Sequence, residues 1–224
     1  MTGRALSWPS WQRLAAGMVG ALVVSLAFFP IYLGGAAVAG TRAYGMHFYT
    51  GWELAIPFWP PAIVPYLSMF VLFFMPPFQL EARELADLVR RLVVASLVGG
   101  VIFLFLPSEI GFTERSDAGV WQAIYDGIYV IDVRSNAVPS FHVIYTASIL
   151  LALRDVATPR LRVGYVVWLV AVCASTVLTH RHHLLDVASG LAIAAGVRAL
   201  LPRRTAVFRF RPPAPERSAH EQAS

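Results

Sequence analysis

Six long apolar runs follow one another along the chain, and short polar or charged stretches separate them. The runs cover residues 14–40, 62–78, 92–106, 139–153, 163–178 and 184–201. A helix needs about 20 apolar residues to cross the hydrocarbon core of a bilayer, and most of the runs come near that length. The pattern therefore predicts an all-α fold, a six-span transmembrane helical bundle formed by residues 14–201.

Two segments that mix polar and apolar residues add detail to the predicted bundle. Residues 81–91, EARELADLVRR, are strongly charged, and the third span is short unless its helix begins inside them. The connection between the third and fourth spans carries an apolar stripe at helical spacing. Its members are Val120, Trp121, Ile124, Tyr125 and Ile128. The stripe predicts a short interfacial helix lying in the membrane surface, although a helix packed against the spans would show the same pattern.

The composition supports an integral membrane protein. Hydrophobic residues make up 57% of the chain and charged residues only 14%, and the mean hydropathy is +0.61. A soluble domain has about 25% charged residues. No basic stripe with interleaved aromatic residues lies outside the apolar runs, so the sequence does not indicate nucleic-acid binding.

Arginine predicts the orientation, because all 18 basic residues are arginines and the net charge is +5. With six spans, both termini and the second and fourth connections share one side, which holds 14 of them, whereas the other side holds 4. Those on the other side are Arg42, Arg115, Arg134 and Arg181. The positive-inside rule then places residues 1–13 and a disordered basic tail, 202–224, in the cytoplasm. We expect a multi-pass protein of a bacterial inner membrane.

Two polar motifs lie at the predicted outer ends of spans. PSFH, residues 139–142, opens the fourth span, and THRHHLLDVASG, residues 179–190, leads into the sixth. His182 and Asp186 are four residues apart, so they share a helix face and their side chains can meet. Ionisable residues at the end of a membrane span are costly to bury and indicate a functional site. His142, His182 and Asp186 would all lie on the outer face.

These residue types suit phosphoryl transfer through a phosphohistidine. A carboxylate that accepts a hydrogen bond from one imidazole nitrogen fixes the tautomer and leaves the other nitrogen as a nucleophile. His182 and Asp186 have the spacing for this, and a second histidine, His142, could protonate a leaving oxygen. The Ser140 hydroxyl and backbone N–H groups at the start of the fourth span could hold phosphate oxygens.

Together the two motifs resemble those of the type-2 phosphatidic acid phosphatase superfamily. The residues of the two motifs, NAVPSFH and H-x-x-x-D-V-x-x-G, are most similar to those of the inositol-phosphorylceramide-synthase-like (inositolphosphotransferase) branch. The resemblance covers roughly residues 45–200. The resemblance implies a six-span fold, a nucleophile at His182, an orienting carboxylate at Asp186, an acid/base at His142 and a phosphate ligand at Ser140. It also implies chemistry without a metal or other cofactor.

The chain departs from the family pattern at several positions. Phe141 replaces a glycine of the second motif, and Thr176 replaces an arginine of the third. Of the first motif, Lys, six residues, Arg, Pro, only Arg115 is in register, followed by Ser116. The phosphate charge must therefore be met by other cations. We predict Arg115 and Arg134 as the clamp and Arg181 as the next choice, since an arginine fork holds two oxygens.

The function expected is phosphoryl transfer on a lipid or polyprenyl phosphate ester in the membrane. The enzyme would be a lipid phosphatase, or a head-group transferase with an alcohol acceptor. Two alternatives stay open: a non-catalytic membrane protein that binds or transports a phospholipid through a degenerate site, and a zinc site formed by two histidines and one aspartate. His180 and His183 are expected to be plain polar residues of the membrane surface.

Overall fold

Helices form every regular element in the part of the chain that the computed structural model describes, residues 3–40, 45–131 and 137–203. Within those ranges the all-α prediction is confirmed, with seven α-helices and no β-strand. The helices are α1 (Trp11–Gly40), α2 (Ile63–Leu72), α3 (Ala82–Phe105), α4 (Gln122–Ile131), α5 (Phe141–Val156), α6 (Pro159–Leu178) and α7 (Leu184–Leu200). Arg42, Arg134 and the predicted disorder of residues 204–224 lie outside the described residues.

Each of the six apolar runs contains one α-helix, but these helices differ in length. Three are long and apolar enough to cross a membrane: the first 25 residues of α1, all 24 of α3 and all 20 of α6. In contrast, α2 has 10 residues, α5 has 16 and α7 has 17. The prolines at Pro76 and Pro77, which follow α2, explain its early end, because proline supplies no N–H to continue a helix.

The third long helix reaches its length by including most of the charged segment. Glu81 precedes α3, and its backbone N–H donates to the Glu84 carboxylate at 2.8 Å. This bond satisfies one of the free N–H groups at the helix start and places an acidic side chain in the first turn, where the helix dipole favours it. The helix thus begins at Ala82 rather than near residue 92.

One end of the bundle is rich in ion pairs between arginines and carboxylates. The Arg198 guanidinium holds both oxygens of Asp155 at 2.7 and 2.8 Å, which joins α7 to the end of α5. Arg91 on α3 donates from Nε to the Leu201 carbonyl at 3.0 Å. The connections that carry most of the arginines therefore meet at this end of the bundle.

The opposite end is closed by backbone hydrogen bonds between distant segments. Met46 donates to the Pro107 carbonyl at 2.7 Å, and Trp59 donates to the Leu178 carbonyl at 2.9 Å. The segment between α1 and α2 thus contacts both the end of α3 and the end of α6. Both polar motifs lie at this end, because α5 and α7 begin here.

A short helix, α4, lies within the segment where the apolar stripe predicted one, but the residues of the stripe do not all face one way. Tyr125 is fully buried against Phe58, with ring centroids 5.1 Å apart, and its hydroxyl donates to the Pro60 carbonyl at 3.1 Å. Val120, by contrast, is exposed. Residues Gly119–Trp121 form a 3₁₀ turn, with 3.0 rather than 3.6 residues per turn. That change of period rotates Val120 away from the stripe that was predicted for one continuous helix.

Phe141, the third residue of the PSFH motif, belongs to the core. Its ring packs edge-on against Phe28 and Phe103, with centroids 5.1 and 5.2 Å away. A side chain at Gly99 would collide with this ring, since an added Cβ would lie 2.7 Å from it. A large residue at 141 is therefore matched by a small one on α3, and it anchors the start of α5 against α1 and α3.

Candidate active site

The candidate site is built on the five-residue connection between α6 and α7, residues 179–183. The connection folds back onto the end of α6, where the Thr176 carbonyl accepts from the N–H groups of Arg181 at 3.1 Å and His182 at 2.9 Å. The Thr179 hydroxyl donates to the Ser175 carbonyl at 2.8 Å. His180 adopts a positive φ of 59°, which lets the chain reverse within so few residues. His182 is thereby held by backbone contacts.

His182 and Asp186 form the predicted pair. Nδ1 of His182 lies 3.1 Å from Oδ2 of Asp186, and the two residues are only 7% and 1% exposed. The same carboxylate oxygen accepts from the His183 backbone N–H at 2.9 Å, which caps the first turn of α7. An ionised carboxylate only accepts hydrogen bonds, so the His182 proton resides on Nδ1. Nε2 of His182 is then the basic, nucleophilic nitrogen.

The second predicted histidine stands next to this pair. The ring centroids of His142 and His182 are 6.1 Å apart, and the His142 ring stacks on Tyr66 at 4.1 Å. His142 lies in the first turn of α5, two residues after the helix cap Ser140. The stacking on a buried tyrosine fixes where the His142 ring sits. A group bonded to one histidine is within reach of the other, as acid–base catalysis requires.

Ser140 joins the two motifs through its backbone. Its N–H donates to the Asp186 carbonyl at 3.1 Å, and its buried hydroxyl caps α5 by accepting from Val143 N–H at 3.4 Å. The helices approach closely at Gly190, where an added Cβ would lie 2.9 Å from the Ser140 carbonyl oxygen. The structure therefore brings Ser140, His142, His182 and Asp186 together at the first turns of α5 and α7.

The close approach at Gly190 gives a first prediction. In Gly190→Ala, the methyl group would meet the Ser140 carbonyl at 2.9 Å and Val143 Cβ at 3.0 Å, so α7 must move away from α5. We expect a loss of about 1–3 kcal/mol in stability, typical of overpacking, with lower phosphoryl-transfer activity. Thermal unfolding and activity of the purified variant measure the two effects.

Gly196→Ala is the matched control, because it lies on the same helix and nothing is within 4 Å of an added Cβ. Alanine there should leave the melting temperature unchanged or slightly higher, since it favours a helix over glycine. Equal melting temperature and activity in both variants would show that the α5–α7 contact at Gly190 is not a constraint.

His183 differs from the expectation of a plain polar surface residue. Its ring is buried between two aromatic rings, Tyr49 at 4.3 Å and Phe112 at 4.4 Å. Nε2 accepts from the Gly111 N–H at 3.0 Å, and Nδ1 lies 3.4 Å from Oε2 of Glu53. The ring is held on both faces and through Nε2, so His183 has a structural role, and His182 is the more accessible of the two, at 7% against 1% exposed. Burial lowers the pKa of His183, which favours the neutral ring.

Glu53 is the residue that the sequence analysis missed. Its side chain is 4% exposed and accepts hydrogen bonds from Thr50 N–H at 2.9 Å, the Thr50 hydroxyl at 3.0 Å and Leu184 N–H at 2.9 Å. Burial raises the pKa of Glu53, but these donors outweigh it and bring the pKa below the ordinary value. A capping pattern, Thr50-x-x-Glu53, was visible in the sequence. Nothing local linked it to residues 183 and 184.

His180 is also buried, and it extends the same ring stack. Its ring lies parallel to Phe112, with centroids 4.0 Å apart, and Nε2 is 2.9 Å from the Ile56 carbonyl oxygen. A carbonyl only accepts, so Nε2 of His180 carries a proton. Burial lowers the pKa of His180, as it does for His183. The stack Tyr49, His183, Phe112, His180 therefore joins three separate segments beside the candidate nucleophile.

The structure describes two of the three arginines that were predicted to bind phosphate, Arg115 and Arg181. Arg115 forms a fork with Asp117, Nε to Oδ1 at 2.8 Å and a second, shorter contact, so a carboxylate already holds this guanidinium. Arg181 is 2% exposed, and its guanidinium lies 5.2 Å from the centre of the Tyr129 ring. A guanidinium this deeply buried is not a surface anchor. Arg134 lies outside the described residues.

No metal centre can be assigned in the described part of the chain. Among residues 3–40, 45–131 and 137–203, no group of three or more His, Cys, Asp or Glu side chains is arranged to hold an ion. The carboxylates and histidines near the site pair with each other and with backbone groups. The described site offers hydrogen bonds and the buried guanidinium of Arg181.

Comparison with known proteins gives no relative from which a role could be transferred. The sequence matches no protein-family model, and neither a curated protein nor a solved structure is similar to it. A functional assignment must therefore rest on the site itself, on His182 with Asp186 and His142 at the meeting point of α5 and α7.

Proposed function

We propose that the chain is a membrane-embedded phosphoryl-transfer enzyme of the type-2 phosphatidic acid phosphatase kind, acting on a lipid or polyprenyl phosphate ester. The observation that carries the proposal is the pair His182 and Asp186, 3.1 Å apart and buried, with the His142 ring beside it. The resemblance of the two motifs to that superfamily points to the same chemistry.

The reaction has two steps at phosphorus. Nε2 of His182 attacks the phosphorus atom, the bond to the leaving oxygen breaks, and His142 gives that oxygen a proton. Water or an alcohol then attacks the phosphohistidine while His142 removes its proton, and the N–P bond breaks with its electron pair returning to Nε2. Asp186 holds the proton on Nδ1 throughout and stabilises the positive charge on the phosphorylated ring.

Buried arginine favours an anionic substrate at this place. A phosphate monoester carries up to two negative charges, and phosphoryl transfer depends mainly on positioning and on neutralising its oxygens. Arg181 follows the α6 end immediately before His182 and is buried against Tyr129. Arg181 is a phosphate ligand of this proposal because it is buried next to His182, and Arg115 is another that would exchange Asp117 for phosphate.

A lipid phosphate panel tests the proposal. The purified full chain is incubated in detergent with phosphatidic acid and a polyprenyl phosphate, with and without inositol or diacylglycerol as acceptor. We expect phosphate release or head-group transfer that persists in EDTA, together with an acid-labile phosphoprotein. Saturable binding of a lipid phosphate without any turnover would identify the non-catalytic alternative. Loss of turnover in EDTA would favour zinc chemistry.

The six-span topology is part of the same proposal and has its own test. We expect residue 158, between α5 and α6, in the cytoplasm, and residue 115, between α3 and α4, on the outer side. Three helices long enough to cross a membrane, together with α2, α5 and α7, support this arrangement. Reporter fusions at both positions measure the compartments. Fusions reporting the same compartment would rule out the topology.

A further inference from the structure

We infer that Glu53 is a positioning residue of this site, which holds the His182–Asp186 pair in register through His183 and Leu184. The inference rests on the proposed function for its kinetic consequence. It concerns a carboxylate of the α1–α2 connection that bonds to Leu184, a residue 131 positions further along the chain. Glu53 does not touch the reacting atoms and acts only through its neighbours.

The Glu53 carboxylate gathers donors from two segments of the chain. Thr50 gives its N–H and hydroxyl to Oε1, while Leu184 gives its N–H to Oε2. Leu184 is the first residue of α7, so this bond satisfies a free N–H at the helix start and puts a negative charge at the positive end of the helix dipole. The start of α7 is thereby attached to the short 3₁₀ helix Gly51–Ala55.

The same carboxylate lies beside the protonated nitrogen of His183. The Gly111 N–H is a donor at 3.0 Å, so Nε2 of His183 must accept, and the ring proton resides on Nδ1. Nδ1 lies 3.4 Å from Oε2 of Glu53, close enough for the charge to attract the ring proton although the contact is not a hydrogen bond. With Tyr49 and Phe112 on its two faces, the ring has no space in which to turn.

Through His183, these contacts of Glu53 connect to the candidate catalytic pair, His182 and Asp186. The His183 backbone N–H donates to the very oxygen of Asp186 that accepts from His182, at 2.9 and 3.1 Å. A shift of residue 183 or 184 therefore moves the carboxylate that orients the nucleophile. A displacement of about 1 Å in a reacting geometry can lower a rate about 100-fold.

Glu53→Gln tests the inference with little change in volume. The amide has one accepting oxygen instead of two, so an NH₂ group must face donors, either the Leu184 N–H and His183 Nδ1–H or those of Thr50. We expect kcat to fall about 10- to 100-fold and KM for the lipid phosphate to change less than about threefold. The matched control is Glu109→Gln, an exposed carboxylate 3.8 Å from His47 at the same end of the bundle, which should retain wild-type kinetics.

A second measurement needs no substrate. The chain has six histidines, and ¹⁵N spectra of histidine-labelled protein distinguish the two tautomers of each ring. We expect His182 and His183 as Nδ1–H tautomers in the wild type, and a mixture at His182 in Glu53→Gln. If that variant does not fold, Glu53→Asp keeps the charge but withdraws it from Leu184, and the same shifts in kcat and tautomer are expected at smaller size.

The outcomes separate this inference from the proposed function. Wild-type kcat together with an unchanged His182 tautomer in the Glu53 variants would overturn the positioning role. A wild type that transfers no phosphoryl group contradicts the proposed function instead, and the tautomer spectra still decide whether Glu53 orders His182. A loss of kcat that Glu109→Gln shares would also overturn the inference, because it would reflect the loss of any carboxylate at this end.

Discussion

Replacing His182 by glutamine is expected to abolish phosphoryl transfer and to remove the phosphohistidine. Glutamine has a similar size and can still donate to Asp186, but it lacks a basic nitrogen that can attack phosphorus. Removal of a catalytic nucleophile lowers kcat by about 10⁴- to 10⁶-fold in well-studied enzymes, and we expect a loss of at least about 10⁴-fold. Phosphate release from the most active lipid of the panel and acid-labile ³²P labelling measure it.

His47→Gln is the control for this substitution. The His47 side chain is 60% exposed, lies 3.8 Å from Glu109 and packs beside Tyr49, so the same chemical change is made at the same end of the bundle but outside the His182–Asp186 pair. It should retain wild-type turnover and labelling. Substantial turnover by the His182 variant, with its fold intact, would mean that another group carries the phosphoryl intermediate or that none forms.

The second large effect is expected for Asp186→Asn. Oδ2 of Asp186 accepts from both His182 Nδ1 and His183 N–H. An asparagine oxygen at that place keeps the bonds but loses the charge that stabilises a phosphorylated imidazolium; an asparagine NH₂ group there would force His182 into the other tautomer. Both orientations slow the chemical step, and we expect kcat to fall about 10²- to 10⁴-fold. Rapid-quench measurement of phosphohistidine formation locates the loss.

Asp126→Asn provides the comparison for this variant. Asp126 is an exposed residue of α4 whose Oδ1 accepts from Gln122 at 2.8 Å, and it makes no contact with the two histidines. Its rate of phosphohistidine formation should equal that of the wild type. Equal rates for Asp186→Asn and Asp126→Asn would show that the carboxylate neither orients nor stabilises His182.

The features that could be predicted from sequence are those determined by local spacing. His182 and Asp186 meet because residues four apart share a face of a helix, and the observed 3.1 Å contact follows that rule. The helical segments follow the apolar runs for the same reason, since burial or a bilayer demands a continuous apolar stretch. The early start of α3 was foreseeable from the acidic residues at its first turn.

The features that were missed depend on contacts between segments far apart in the chain. Glu53 and His183 are buried together although the sequence between them contains five helices, and no periodicity connects such positions. Tertiary packing, rather than the local pattern, decided this contact. Arg115 is a different case, because its partner Asp117 is only two residues away, in an irregular segment where no helical spacing rule applies.

The ring stack beside the nucleophile has a consequence for the order in which the chain is assembled. Tyr49 and Phe112 are synthesised before His183, the ring between them, which belongs to the connection that precedes α7. Until α7 is made, Glu53 has its Thr50 donors but lacks the Leu184 N–H and the His183 ring, and a carboxylate with half of its partners stays hydrated rather than buried. The candidate site therefore closes only when α7 is in place, and a chain that stops before α7 leaves a hydrated carboxylate at this end of the bundle.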